Sequence, residues 1–196
     1  MQLVKQRVSD YAMLAKFRLS FLVVFSAVIG YLFAAPLFIS FTHILLLAIG
    51  GMLVTGASNA INQIIERDID KLMTRTQSRP LPTERMNVLE AIVAAGLMGI
   101  SGILVLTYFF NPTAGVLSAV SLLTYAFVYT PLKRVSPVAV FVGAIPGALP
   151  PMIGYVCATG SIDFIAVILF SIQFLWQFPH FWSIAWIQYE DYKKAG

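Results

Sequence analysis

The stretch from Asn62 to Pro82 reads NQIIERDIDKLMTRTQSRPLP and follows directly on an apolar run, Ile44 to Ile65. That run is long enough to cross a bilayer as a helix. Asn62, Glu66 and Asp70 stand four residues apart. On an α-helix this spacing keeps them within about 80° of one another, while Asp68 projects about 160° away from Asp70. The outcome is a stripe of oxygen donors at the end of a spanning helix. Such ligands suit Mg²⁺, which takes one or two carboxylates and completes its shell with water and phosphate oxygens. Glu66 and Asp70 are therefore the candidate metal ligands. Arg75 and Arg79 follow, again four apart, with planar forks that match phosphate oxygens. Carboxylate, metal and arginine describe a diphosphate site. The competing account is a solvated loop whose charges only set membrane topology, and Asp68 fits that account.

Composition confines the chain to a membrane. Of 196 residues, 59% are hydrophobic and 11% charged, with a mean hydropathy of +0.82, far from the balance of a soluble domain. Cys157 is the sole cysteine, so an intrachain disulfide is impossible and a cysteine metal site is not expected. The first apolar run has no short signal-peptide pattern and reads as a retained helix. Six spans are expected: Leu19 to Ala35, closed by Pro36; Ile44 to Ile65; Val88 to Phe110; Thr113 to Tyr129; Val138 to Ala158; and Phe164 to Ile187. The fold class is all-α, a polytopic helical bundle. Residues 1–18, with Lys5, Arg7, Lys16 and Arg18 among apolar residues, read as an amphipathic surface segment. In the fifth span Pro146, Pro150 and Pro151 lack backbone donors and should bend or interrupt the helix.

All 13 Lys and Arg residues fall in the N-terminal segment, the second and fourth connections or the tail, which six spans place on one side. The positive-inside rule puts that side in the cytoplasm or its equivalent. Topology thus accounts for the net charge of +4, and no nucleic-acid partner is expected.

Two further constellations carry chemistry. Tyr129-Thr130-Pro131-Leu132-Lys133 ends the fourth span; Tyr129 and Lys133 read equally as an interfacial aromatic and a topology charge. In the sixth span Gln173, Gln177, His180 and Asp191 share one face if the helix runs on, because His180 and Asp191 differ by about 20°. An intramembrane histidine is a functional candidate by default. Phe178, Phe181, Trp176 and Trp182 read as packing and interface aromatics.

Asn62-x₃-Glu66-x₃-Asp70 followed by Arg75-Thr76-x₂-Arg79-Pro80 resembles the first motif of the UbiA superfamily of intramembrane prenyltransferases. The segments Tyr129 to Lys133, Gly147 to Pro151, Pro179-His180-Phe181-Trp182 and Glu190 to Gly196 resemble its protohaem IX farnesyltransferase branch. The aspartate-rich D-x₃-D second motif of quinone-pathway relatives is absent. Glu66 stands where many relatives have Asp. The resemblance implies transfer of a farnesyl group from farnesyl diphosphate to a vinyl group of haem B, with Mg²⁺ on Glu66 and Asp70 and with Asn62 orienting the cluster. It further implies Arg75, Arg79 and Lys133 on the diphosphate, Tyr129, Gln177 and His180 along the cavity, and Asp191 assisting. It implies about nine spans, so residues 1–196 are expected to be one integral-membrane domain incomplete at its C-terminus. The expected location is a bacterial inner or mitochondrial inner membrane. Partners in haem A synthesis or oxidase assembly stay open, as do two alternatives: a transferase acting on an aromatic quinone precursor, and a transporter, which broken helices and buried polar groups also mark.

Overall fold

The structure, a computed structural model, describes residues 2–34 and 40–194. Helix α1, Gln2–Leu14, turns into α2, Phe17–Ala34, through Lys16, whose φ of 47° is a left-handed conformation uncommon outside glycine. The expected stop at Ala35-Pro36 lies outside the described residues. Helix α3, Phe41–Asp70, has 30 residues. At 1.5 Å per residue it is about 45 Å long, more than the roughly 30 Å of a hydrocarbon core. Its last turns thus carry the polar stripe beyond the apolar layer on the same continuous helix.

Helix α4, Val88–Phe109, starts on Asn87, whose side chain accepts the Leu89 N–H. Asn111 caps α5, Pro112–Leu123, by accepting the Ala114 N–H, and Pro112 occupies the first turn, where no donor is missed. The fourth span does not stay α-helical to Tyr129. Residues Thr124–Tyr129 form a π-helical turn and Thr130–Leu132 a last α-turn, α6. The Thr130 N–H reaches back five residues to the Tyr125 carbonyl. Pro131, without an N–H, cannot complete the ordinary ladder at this point. A π-turn inserts about one residue, so everything beyond it is rotated by about 100°.

Of the bend or interruption expected in the fifth span, the interruption does not occur. Helix α7, Ala139–Thr159, runs without interruption through Pro146, Pro150 and Pro151. Pro150 and Pro151 leave the carbonyls four residues earlier, Pro146 and Gly147, without their usual donors. Neighbouring side chains supply them: Ser121 Oγ donates to the Pro146 carbonyl at 3.4 Å and Gln177 Nε2 to the Gly147 carbonyl at 3.3 Å, as prolines buried in a bundle require. With no discontinuous helix here, the transporter alternative loses its main support. Helix α8, Phe164–Ile187, has the expected bounds. It does not run on to Asp191: Gln188 leaves helical geometry and a separate helix, α9, Tyr189–Lys194, follows.

Five spans close a ring, α2 beside α3, then α4, α5 with its π-turn, and α7, which returns to α2; α3 and α5 also touch, and α8 lies outside against α7. In a bilayer apolar side chains gain little by leaving lipid, so close packing governs association. The α2–α7 seam shows how. A Cβ on Gly30 would overlap the Pro151 carbonyl, and one on Gly154 the Ala27 carbonyl, so the two backbones meet directly. Leu47, Val54, Leu106, Leu122, Leu149 and Val156 fill the interior between these seams.

Candidate active site

The stripe on α3 is buried along its whole length, with Asn62 and Asp70 each only 1% exposed and Glu66 6%. Asp68, on the other side, is 75% exposed at its side chain, as the helical phase requires. Each stripe residue has its own cation from a different element. Lys16 Nζ donates to Asn62 Oδ1 at 3.2 Å. Lys133 Nζ lies 2.7 Å from Glu66 Oε1 and 2.8 Å from Oε2. Arg79 Nη1 donates to Asp70 Oδ2 at 2.7 Å. Asn62 ties the stripe together, its Nδ2 donating to Glu66 Oε2 at 2.9 Å and to Thr130 Oγ1 at 3.2 Å.

Lys16 is the residue that sequence reasoning missed. Before the first span it reads only as a topology charge, and nothing local says that it folds back on α3. It is carried there by the α1–α2 turn, which α3 stitches down: Gln63 Nε2 donates to the Met13 and Leu14 carbonyls and Asn59 Nδ2 to the Ala15 carbonyl and Ser20 Oγ. Buried Asp10 adds a tie through Arg85 at 3.0 Å. Burial, and then the nearby charges of Arg79 and Lys133, lower the Lys16 ammonium from its ordinary 10.5 to about 7, with Glu66 and Asp70 pulling the other way.

The loop after α3 is more ordered than a solvated connection. Thr76 Oγ1 donates to the Asp70 carbonyl at 2.9 Å, and Met73, Thr76, Pro80 and Leu81 are buried. This fold of the loop turns Arg79 back onto Asp70 and leaves Arg75 exposed, with no ion pair among the described residues. Asp191 reaches the loop by a route other than the expected helical face. Its Oδ2 accepts the Arg75 N–H at 3.1 Å and its Oδ1 the Thr74 N–H at 3.3 Å, while Lys194 Nζ donates to Thr74 Oγ1 at 2.8 Å. The Arg75 N–H first, against burial and with the Thr74 N–H helping, holds the Asp191 carboxyl below the usual carboxylate range.

Tyr129 stands beside this cluster. Lys133 Nζ lies 5.6 Å from its ring centre, and Tyr125 and Phe181 flank it at centroid distances of 5.4 and 5.8 Å. Gly143 makes room for it, since a Cβ there would come within 2.6 Å of the Tyr129 ring and 3.1 Å of Phe181. Gln177 is buried, but its amide is engaged by the Gly147 carbonyl. His180 is exposed on α8, its ring 6.0 Å from that of Phe181, and no hydrogen bond of its side chain is formed among the described residues. The structure thus joins Asn62, Glu66, Asp70, Arg79 and Lys133, adds Lys16 and Thr130, and leaves His180 apart.

The family profile described as the UbiA prenyltransferase family matches residues 23–196. The chain belongs to that family. It is 51% identical over 186 residues to a protein of Cytophaga hutchinsonii named protoheme IX farnesyltransferase, covering 95% of this chain and 65% of that one. A Flavobacterium psychrophilum protein of the same name is 48% identical, over 98% of this chain and 65% of the relative. The chain therefore spans somewhat less than two thirds of these relatives. Among solved structures, a UbiA homologue from Archaeoglobus fulgidus bound to DMAPP and Mg²⁺ superposes with a TM-score of 0.77 at 19% identity, over 95% of this chain and 66% of that one. A digeranylgeranylglyceryl phosphate synthase also reaches 0.77, at 23% identity, over 87% and 59%. These two likenesses establish a UbiA fold, and with the six apolar helices the family member is an integral, multi-pass membrane protein.

Proposed function

We propose that the protein transfers a farnesyl group from farnesyl diphosphate to a vinyl group of haem B, giving haem O. The observation that carries the diphosphate half is the buried Asn62-Glu66-Asp70 stripe with Lys16, Lys133 and Arg79 converging on it from three elements. The acceptor half rests on the relatives named protoheme IX farnesyltransferase.

The residues fit Mg²⁺. The donors are oxygens, one or two carboxylates are what such a site uses, and Asp70 Oδ1 is buried without a hydrogen-bond partner among the described residues. Glu66 and Asp70 would hold the ion, which when bound supplies positive charge to the diphosphate oxygens. In the reaction the C1–O bond breaks with its electron pair leaving on the diphosphate. Lys16, Lys133 and Arg79 stabilise that growing charge, with Arg75 on the same loop as Arg79 a further candidate cation. The vinyl π electrons form the new C–C bond to C1; water then adds its oxygen to the remaining carbocation and releases a proton. Tyr129 and Phe181, on the apolar side of Lys133, shield the allylic end from bulk water. His180 is the candidate porphyrin contact, its side chain making no hydrogen bond among the described residues of the protein. Orientation follows the basic side, so the site opens to the cytoplasm or matrix of a bacterial or mitochondrial inner membrane.

The test is incubation of the full-length protein with farnesyl diphosphate, Mg²⁺ and haem B, with products resolved by mass. A porphyrin heavier by one farnesyl group and one hydroxyl is expected. Prenylation of a hydroxybenzoate with none of haem would overturn the acceptor.

A further inference from the structure

We propose that Thr130 is a positioning residue that keeps the Asn62 side-chain amide in one orientation while the site is loaded. The inference rests on the diphosphate reading given above and deepens it.

An asparagine amide has nearly the same shape after a half-turn, so its neighbours decide which end is the donor. Three neighbours do so here. The Lys16 ammonium faces Oδ1, while Glu66 Oε2 and Thr130 Oγ1 face Nδ2. Two of these partners are the groups expected to turn toward a bound ligand, Glu66 toward the metal and Lys16 toward the phosphate oxygens. Once they do, their hold on the amide weakens. Thr130 is different because its own orientation does not depend on ligand. It is fully buried, and its hydroxyl hydrogen is committed to the Tyr125 carbonyl at 2.9 Å. That leaves only lone pairs facing Asn62, so Thr130 accepts from Nδ2 and rejects Oδ1.

The π-turn makes the arrangement possible. In an α-helix a threonine hydroxyl reaches back to the carbonyl three or four residues earlier. Here both the N–H and the hydroxyl of Thr130 meet the carbonyl five residues back. The extra residue turns Thr130 toward Asn62 and, three positions on, Lys133 toward Glu66. One local irregularity thereby brings both the fixed acceptor and one of the three cations to the stripe.

The proposal is tested by titrating inorganic diphosphate with Mg²⁺ into detergent-solubilised full-length protein, for the parent, Thr130→Val, Thr130→Ser, Asn62→Ala and the Asn62→Ala/Thr130→Val pair, each with its thermal unfolding midpoint. Valine keeps the shape and removes the acceptor. Affinity should fall about tenfold in Thr130→Val and recover to within about twofold of the parent in Thr130→Ser. The pair should bind no more weakly than Asn62→Ala alone, because an effect exerted through Asn62 vanishes with it. If Thr130→Val does not fold, Thr130→Ala takes its place in the same comparisons. Parent-like affinity without the hydroxyl, or additive losses in the pair, overturns the role of Thr130 and leaves the diphosphate site standing. A parent that binds no diphosphate overturns the site reading, and this proposal with it.

Discussion

At the scale of single residues, the stripe separates groups that composition cannot. Glu66 and Asp70 are buried against cations, whereas Asp68 lies two positions away in solvent. Glu66→Gln and Asp70→Asn should each lower Mg²⁺-dependent diphosphate affinity by more than about tenfold, since each removes a charged donor with little change of shape. Asp68→Asn should stay within about twofold, and calorimetric titration of the three variants checks the contrast. Equal effects at all three would mean that the helical face is misassigned.

Lys16 adds a pH dependence whose sign can be worked out. Its folded value, about 7, lies below the ordinary 10.5, so the folded site sheds a proton that the unfolded chain keeps. The resulting cost to stability is fully present below about pH 7 and fades as pH rises toward 10.5. For ligand the sign is opposite, because bound diphosphate favours the ammonium. Raising pH from about 6.5 to about 8.5 should weaken diphosphate binding by the parent relative to Lys16→Arg, whose guanidinium stays charged throughout. Identical pH profiles for the two proteins would remove Lys16 from the diphosphate contacts.

At the scale of elements, the helix pair α7–α8 distinguishes structural from functional polar groups. Gln177 lies on the cavity side in sequence, yet in three dimensions its amide replaces the donor that Pro151 lacks. Gln177→Leu should therefore lower thermal stability, by an amount corresponding to about 1 kcal/mol for an interhelical hydrogen bond, and leave diphosphate affinity near the parent value. His180 has no such structural duty among the described residues. His180→Ala should reduce haem affinity more than farnesyl diphosphate affinity at unchanged stability. Paired unfolding and binding measurements decide both, and equal loss of the two substrates in His180→Ala would make His180 structural. The α2–α7 seam is less tolerant. Gly154→Leu would force apart backbones in contact and should prevent stable purification, where overpacking of an ordinary core costs about 1–3 kcal/mol.

At the scale of the whole molecule, six apolar helices with every Lys and Arg in the N-terminal segment, alternate connections and the tail predict the topology. A reporter fused at residue 113, in the first turn of α5, should report the side opposite the cytoplasm, and one at residue 78, in the loop after α3, the cytoplasmic side. A cytoplasmic signal at 113 would reverse the arrangement. The number of spans, the phase of the Asn62-Glu66-Asp70 face and the bounds of α8 were all legible in the sequence, because length, hydropathy and a 3.6-residue period are properties of local chain. Long-range partners were not. The closing of Lys16 onto Asn62 depends on a left-handed turn and on hydrogen bonds from Asn59 and Gln63, 39 to 50 residues away. Uninterrupted α7 depends on donors from two other helices. The π-turn that aims Thr130 and Lys133, and the capture of the loop after α3 by Asp191, likewise required the bundle to be assembled. Spacing along one helix determines which groups share a face; only tertiary packing decides what faces them.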